Sequence, residues 1–205
     1  MFVTIFLFSS FSFSQVSVGN EDAEGQSQPV EPWYEYSYSQ TIYNANLINA
    51  SGQITGIKYF ATPTTSLENT GTWDIYMAHT DLNEHPQNED GAYSFVDGSE
   101  LTLVFSGPVE VIDQTVSITL DTPFDYNGTQ NLIVAGHDTM DTGTFDGSGG
   151  DDFYATLYDG SSRVALVYYN DGAQIDPLAP EYAPTDALLC LLYTSPSPRD
   201  KRQSR

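Results

Sequence analysis

The feature that most limits what this chain can become is a series of short runs in which apolar and polar residues alternate, each closed by turn residues. Trp73, Ile75 and Met77 alternate with Asp74 and Tyr76; Val116, Ile118 and Leu120 alternate with Ser117 and Thr119. Phe153, Ala155 and Leu157 alternate with Tyr154, Thr156 and Tyr158. A period of two places successive side chains on opposite faces of a strand, so each run predicts a strand with one face turned to a core. Strands are expected near 36–43, 54–60, 73–79, 101–105, 108–112, 115–120, 131–137, 153–158 and 163–169. "NASGQ", "DGSE", "FSGP", "YNGT" and "YDGSS" punctuate them with residues that favour turns. No stretch shows a convincing helical period. About nine short antiparallel strands indicate an all-β sandwich or barrel, and the number suits a jelly-roll-like sandwich better than a minimal immunoglobulin fold.

Charge narrows the partners. The 205 residues carry 28 acidic and 6 basic side chains, a net charge of −22. Four of the six basic residues, Arg199, Lys201, Arg202 and Arg205, lie at the C-terminal end, leaving Lys58 and Arg163 for the rest. Such a surface repels phosphate backbones and anionic membrane surfaces, so nucleic acid is not an expected partner. Disorder also produces high charge, but 14 Tyr together with many Phe, Ile and Val argue for a packed, strand-rich domain. Cys190 is the only cysteine, so no disulfide within the chain holds the fold.

The two ends differ from the middle. "MFVTIFLFSSFSFS", residues 1–14, is uncharged, apolar and closed by the small-x-small pattern Ser12-Phe13-Ser14, as a signal peptide requires; it is too short for a membrane span. No Lys or Arg precedes the apolar stretch, which points to a true start upstream of Met1. Residues 15–33 are polar, acidic and contain two prolines, and read as a flexible leader. The module itself is expected over 34–189. Residues 190–205, "CLLYTSPSPRDKRQSR", look foreign to it: back-translated in one frame, "CLLYTSPSPRD" resembles the transposase adapter of sequencing libraries, so this stretch is read as a non-native tail standing where a final strand should close the sheet. The alternative is a genuine basic tail that contacts an anionic partner. A missing strand would leave an open sheet edge.

The order "YSQTIYNANLINASGQITGIKYF", "WDIYMAHT", "LTLVFSGPVEV" and "VSITLDTPFDYNGTQNLIVA" carries a resemblance. Over about residues 36–170 the chain resembles β-sandwich modules of large secreted bacterial surface proteins of the type IX secretion class. The resemblance implies a secreted or cell-surface location, other domains of a larger parent chain, and a non-catalytic role in adhesion or ligand binding. It names no ligand; an extracellular glycan or protein is expected. The alternative is a carbohydrate-binding module appended to a secreted hydrolase or protease.

Three groups of residues invite chemistry. The segment "HDTMDTGTFDGSGGDDF" offers Asp138, Asp141, Asp146, Asp151 and Asp152 among flexible glycines, and a hard cation such as calcium takes six to eight oxygens from such loops. The spacing is not that of an EF-hand, and aspartates also fill solvated loops. Asp138-Thr139-Met140 resembles a bacterial O-glycosylation acceptor as well. The second group is the tyrosines. Tyr154, Tyr158 and Tyr168, from a pool that includes Tyr34, Tyr36, Tyr38, Tyr43 and Tyr169, could form a sugar-stacking platform, or could simply cover a half-buried sheet face. The third group, His79, His85 and His137, lacks metal-ligand spacing. No G-x-S-x-G or H-E-x-x-H motif occurs, and no enzymatic role is expected.

Overall fold

In the computed structural model the described residues are 15–19, 23–26, 28–89, 91–141, 153–156, 163–179, 185–186, 189–190 and 192–196. The strands are β1 (Val16–Val18), β2 (Ala23–Gln26), β3 (Tyr36–Tyr43), β4 (Gly52–Phe60), β5 (Thr72–Thr80), β6 (Thr102–Pro108), β7 (Val111–Ile112), β8 (Thr115–Tyr126), β9 (Asn131–Asp138), β10 (Phe153–Thr156), β11 (Ala165–Asn170), β12 (Thr185–Asp186), β13 (Leu189–Cys190) and β14 (Leu192–Pro196). One helical turn, Ala45–Ile48, follows β3; Asn44 caps it by accepting from the Asn46 N–H, and Asn49 closes it in the left-handed region.

The strands build an all-β sandwich. One layer runs β12-β11-β3-β9-β5-β6, and the facing layer runs β1-β14-β4-β8-β7. A short sheet, β13-β10-β2, continues the second layer through a bridge between Ala61 and Phe153. All strand pairings are antiparallel. Alternation works as the sequence predicts. Trp73, Ile75 and Met77 are buried between the layers with Val116, Ile118 and Leu120, while Ser117 and Thr119 face solvent. Trp73, Tyr59 and Phe153 meet edge to face at the centre, and the Trp73 indole N–H donates to the Thr70 carbonyl. β8 extends past the expected end at 120 because its ladder with β4 skips from Thr119 to Phe124, a bulge that absorbs Pro123, which has no N–H to donate.

The outer face of the six-stranded layer is covered as well. Tyr36, Tyr38 and Tyr76 pack under Phe95 and Ile175, and Ile42 and Ile133 under Val96. Gln40 fastens the 81–101 segment: its amide donates to the Val96 carbonyl at 2.8 Å and its side-chain carbonyl accepts from the Val96 N–H at 2.9 Å. The acidic 81–101 segment therefore serves as a lid on the sheet, with Asp97 spent on the Ser99 N–H and Asp81 on the Gln130 amide.

The expected flexible leader over 15–33 needs correction. β1 and β2 pair with β14 and β10, and residues 28–32 are buried. This strap crosses the inner face of β3, where Ser37, Ser39 and Thr41 point. Ser39 donates to the Pro29 carbonyl at 2.7 Å, Thr41 to the Gln28 side-chain carbonyl at 3.0 Å, and the Glu31 N–H to the Ser37 hydroxyl at 2.9 Å. Its polar composition reads as solvated in sequence, but here polarity is matched by polarity, and buried hydrogen bonds hold it. Val30 adds an apolar anchor in the core.

Residues 1–14, the expected signal peptide, lie outside the described residues. The edge of β4 that a missing final strand would leave open is taken by β14, which pairs Tyr193 with Lys58 and Thr194 with Ile57 and then pairs with β1 on its other side. An unpaired edge presents a row of N–H and C=O groups that any β-prone segment satisfies.

Candidate functional site

Topology gathers one end of the six-stranded layer. β3 begins at Tyr36, β9 ends at Asp138 and β11 ends at Asn170, with Tyr36 opposite Asn170 and Tyr38 opposite His137. Residues 31–36, 138–141 and 169–172 therefore meet at the same end, although they are far apart in sequence.

The aromatic part is built on the turn that leaves the strap. Tyr34 N–H donates to the Glu31 carbonyl at 3.3 Å, and the Trp33 N–H to the Glu31 carboxylate at 3.1 Å. Tyr34 then stacks on Tyr169, with ring centroids 4.1 Å apart and planes 22° from parallel. Trp33 beside them is 43% exposed, a large apolar ring left in water. Asp171 accepts the Glu35 N–H at 3.1 Å, which ties the turn to the end of β11. Burial first, then Tyr169, Glu31 and Asp171, push the Tyr34 phenol above its ordinary range.

Beneath this surface sits a second acidic group. Asp138 is fully buried opposite Trp73. One of its oxygens accepts the Met140 N–H at 3.0 Å, and the other has no hydrogen-bond partner among the described residues. Burial, reinforced by Glu35 and opposed by the Met140 N–H, raises its pKa to about 8, so it is protonated at neutral pH. Asp141 lies on the other side, exposed, accepting from the Tyr36 hydroxyl at 3.2 Å.

The residues singled out in the sequence can now be placed. Asp138 is buried and Asp141 is exposed, both at this end of the layer. Asp146, Asp151 and Asp152 lie outside the described residues. Among the described residues no group of three or more His, Cys, Asp or Glu is arranged to hold a metal ion. Thr139 commits its hydroxyl to the Thr72 carbonyl at 3.0 Å, which leaves the expected glycosylation acceptor half-buried and engaged. Of the tyrosine pool, Tyr36, Tyr38 and Tyr43 are core residues, Tyr154 and Tyr168 are half-buried, and Tyr168 packs with the cluster under the lid. Tyr158 lies outside the described residues. The histidines stay apart. His79 stacks on Tyr126 and accepts the Asn127 N–H at the far end of β5, His137 faces Tyr38 edge-on, and His85, itself part of the lid, is buried against the Gln40 carbonyl.

Trp33, Glu31 and Asp171 went unread in the sequence. The signal available was "PVEPWYEY", a proline-stiffened run of aromatics and acids just ahead of the first long strand. No known protein family, curated protein or solved structure matches this chain.

Proposed function

We propose that this chain is a non-catalytic module, secreted or displayed at a cell surface, that binds an extracellular ligand in the manner of an adhesin. The observation that carries this reading is the end of the sandwich bearing Trp33, Tyr34 and Tyr169. A stacked pair of tyrosines with an exposed tryptophan in the same turn offers rigid aromatic area that loses little conformational freedom on binding. Its position also fits a module in a larger chain, since loops at one end of a sandwich are free to meet a ligand while the sheets serve as scaffold.

The test is retention of cells or immobilised extracellular glycans and matrix proteins on beads carrying the full chain. Wild-type protein retains at least one of these ligands, and the double variant Trp33→Ala/Tyr169→Ala retains none. Turnover of chromogenic glycoside, ester or peptide substrates by the purified chain would sink the non-catalytic reading.

A further inference from the structure

We infer that the ligand taken at the Trp33–Tyr34–Tyr169 end is a neutral saccharide. This rests on the binding role proposed above and gives it a chemical class.

Three observations point the same way. The first is the shape of the aromatic surface. Tyr34 and Tyr169 lie nearly parallel at 4.1 Å, so the two rings form one flat stack rather than walls at angles to one another. A flat ring suits the C–H face of a pyranose; a cation instead is best held by rings that surround it.

The second is the polar fringe. A sugar ring that stacks on an aromatic face carries hydroxyls around its edge, and these need acceptors. Asp171, exposed two residues after Tyr169, supplies one, and it is oriented by a backbone donor, the Glu35 N–H. Glu31 is buried and holds the Trp33 N–H of the same turn. Asp171 is exposed, and its second oxygen accepts from nothing among the described residues. A positioned carboxylate oxygen takes a charge-assisted hydrogen bond from a hydroxyl, about twice as strong as a neutral one.

The third is charge. Glu31, Glu35, Asp141 and Asp171 cluster around this end, and the chain carries a net −22. Arg163 is engaged over the Tyr93 ring and Lys58 lies on β4 in the facing layer. A uronate, sulfate or sialate would meet only negative potential here.

The experiment is affinity electrophoresis of the full chain through gels containing xylan, mannan or mixed-linkage β-glucan, with polygalacturonate and poly-lysine as charged comparisons, followed by calorimetry with the matching oligosaccharide. At least one neutral polysaccharide should retard the protein. Trp33→Ala and Tyr169→Phe separate stacking area from the phenol: the first weakens binding about ten-fold or more, the second little. Asp171→Asn weakens it several-fold, and all three variants keep the wild-type thermal unfolding curve. Retardation that survives Trp33→Ala with the fold intact would overturn the site. Retardation by poly-lysine or polygalacturonate, with none by the neutral polymers, would overturn the saccharide class. If beads retain cells through Trp33 while no neutral polymer retards the chain, the saccharide inference fails and the binding module stands. If neither is seen, both fall.

Discussion

The carbonyl oxygen of Pro29 lies so close above Gly136 that a β-carbon on that glycine would approach it to 2.4 Å. The contact joins the strap to the middle of the six-stranded layer and explains why β9 has no side chain at this point. Gly136 sits opposite Ser39, whose hydroxyl holds the same Pro29 carbonyl.

Gly136→Ala should therefore lift the strap and cost about 1–3 kcal/mol, the range for forcing extra volume into a packed interior. Urea unfolding measures it. Gly107→Ala is the comparison: a β-carbon there meets only ring atoms of Phe105 at 3.6 Å, ordinary contact, so the loss stays within about 0.5 kcal/mol. Equal losses at the two glycines would mean that the strap does not depend on close approach.

Acid should unfold the protein through its histidines. Burial lowers His85 to about 4 from an ordinary 6.5, against hydrogen bonds to the Gln40 and Val164 backbone that act the other way. A depressed histidine contributes stability that is fully present above 6.5, declines as pH falls, and is gone once pH passes the folded value. The gap of about 2.5 pH units corresponds to about 3 kcal/mol. Burial lowers His79 and His137 in the same direction. Stability from urea melts should drop steeply between pH 6.5 and 4, and His85→Gln should make that limb shallower by one proton.

Asp138 works in the opposite sense. With its folded pKa raised to about 8, its contribution is complete below 3.8 and is lost as pH climbs through 8. The wild type should lose about 1 kcal/mol between pH 7 and 9, the free energy of roughly one pH unit of titration. Asp138→Asn keeps an acceptor for the Met140 N–H and carries no charge, so its thermal midpoint should stay level over that interval. A wild-type midpoint that does not move between pH 7 and 9 would place the Asp138 proton elsewhere.

The two tryptophans differ in exposure, Trp33 at 43% and Trp73 at zero. Acrylamide should quench one fraction of the emission and spare the other. Trp33→Phe should remove the accessible fraction and leave blue-shifted, protected emission from Trp73. Uniform quenching would mean that the core around Trp73 opens.

Much of the scaffold could be read from residue order, since period two is imposed by the backbone itself. β5 and β8 announce their buried faces, and β3, β9 and β11 begin within two residues of where alternation and turn signals place them. The strap could not be read this way. "QSQPVEP" contains one aliphatic residue, so a hydropathy argument assigns it to solvent; what buries it is a set of side-chain hydrogen bonds to Ser37, Ser39 and Thr41, and these exist only once β3 has been placed. Both faces of β3, the one bearing Tyr36 and Tyr38 and the one bearing Ser37, Ser39 and Thr41, are covered. The site was half legible. Tyr34, Tyr36, Tyr168 and Tyr169 stood out by type, but that Tyr34 meets Tyr169, and not Tyr154, follows from the pairing of β3 with β11.

That pairing sets a constraint in time. β3 is a central strand whose neighbours on both sides, β9 and β11, lie at the other end of the described chain: Tyr38 pairs with His137 on one side and Tyr168 on the other. Neither contact is local, so loop closure has to be accomplished before either rewards the chain, and high contact order of this kind puts folding in the range of about milliseconds to seconds. A nascent chain that has reached Thr80 holds β3, β4 and β5 with none of the strands that hydrogen-bond β3. The aromatic pair is complete only when Tyr169 has joined Tyr34, which makes that surface one of the last parts of the molecule to form and the stacked rings a mark of a finished fold.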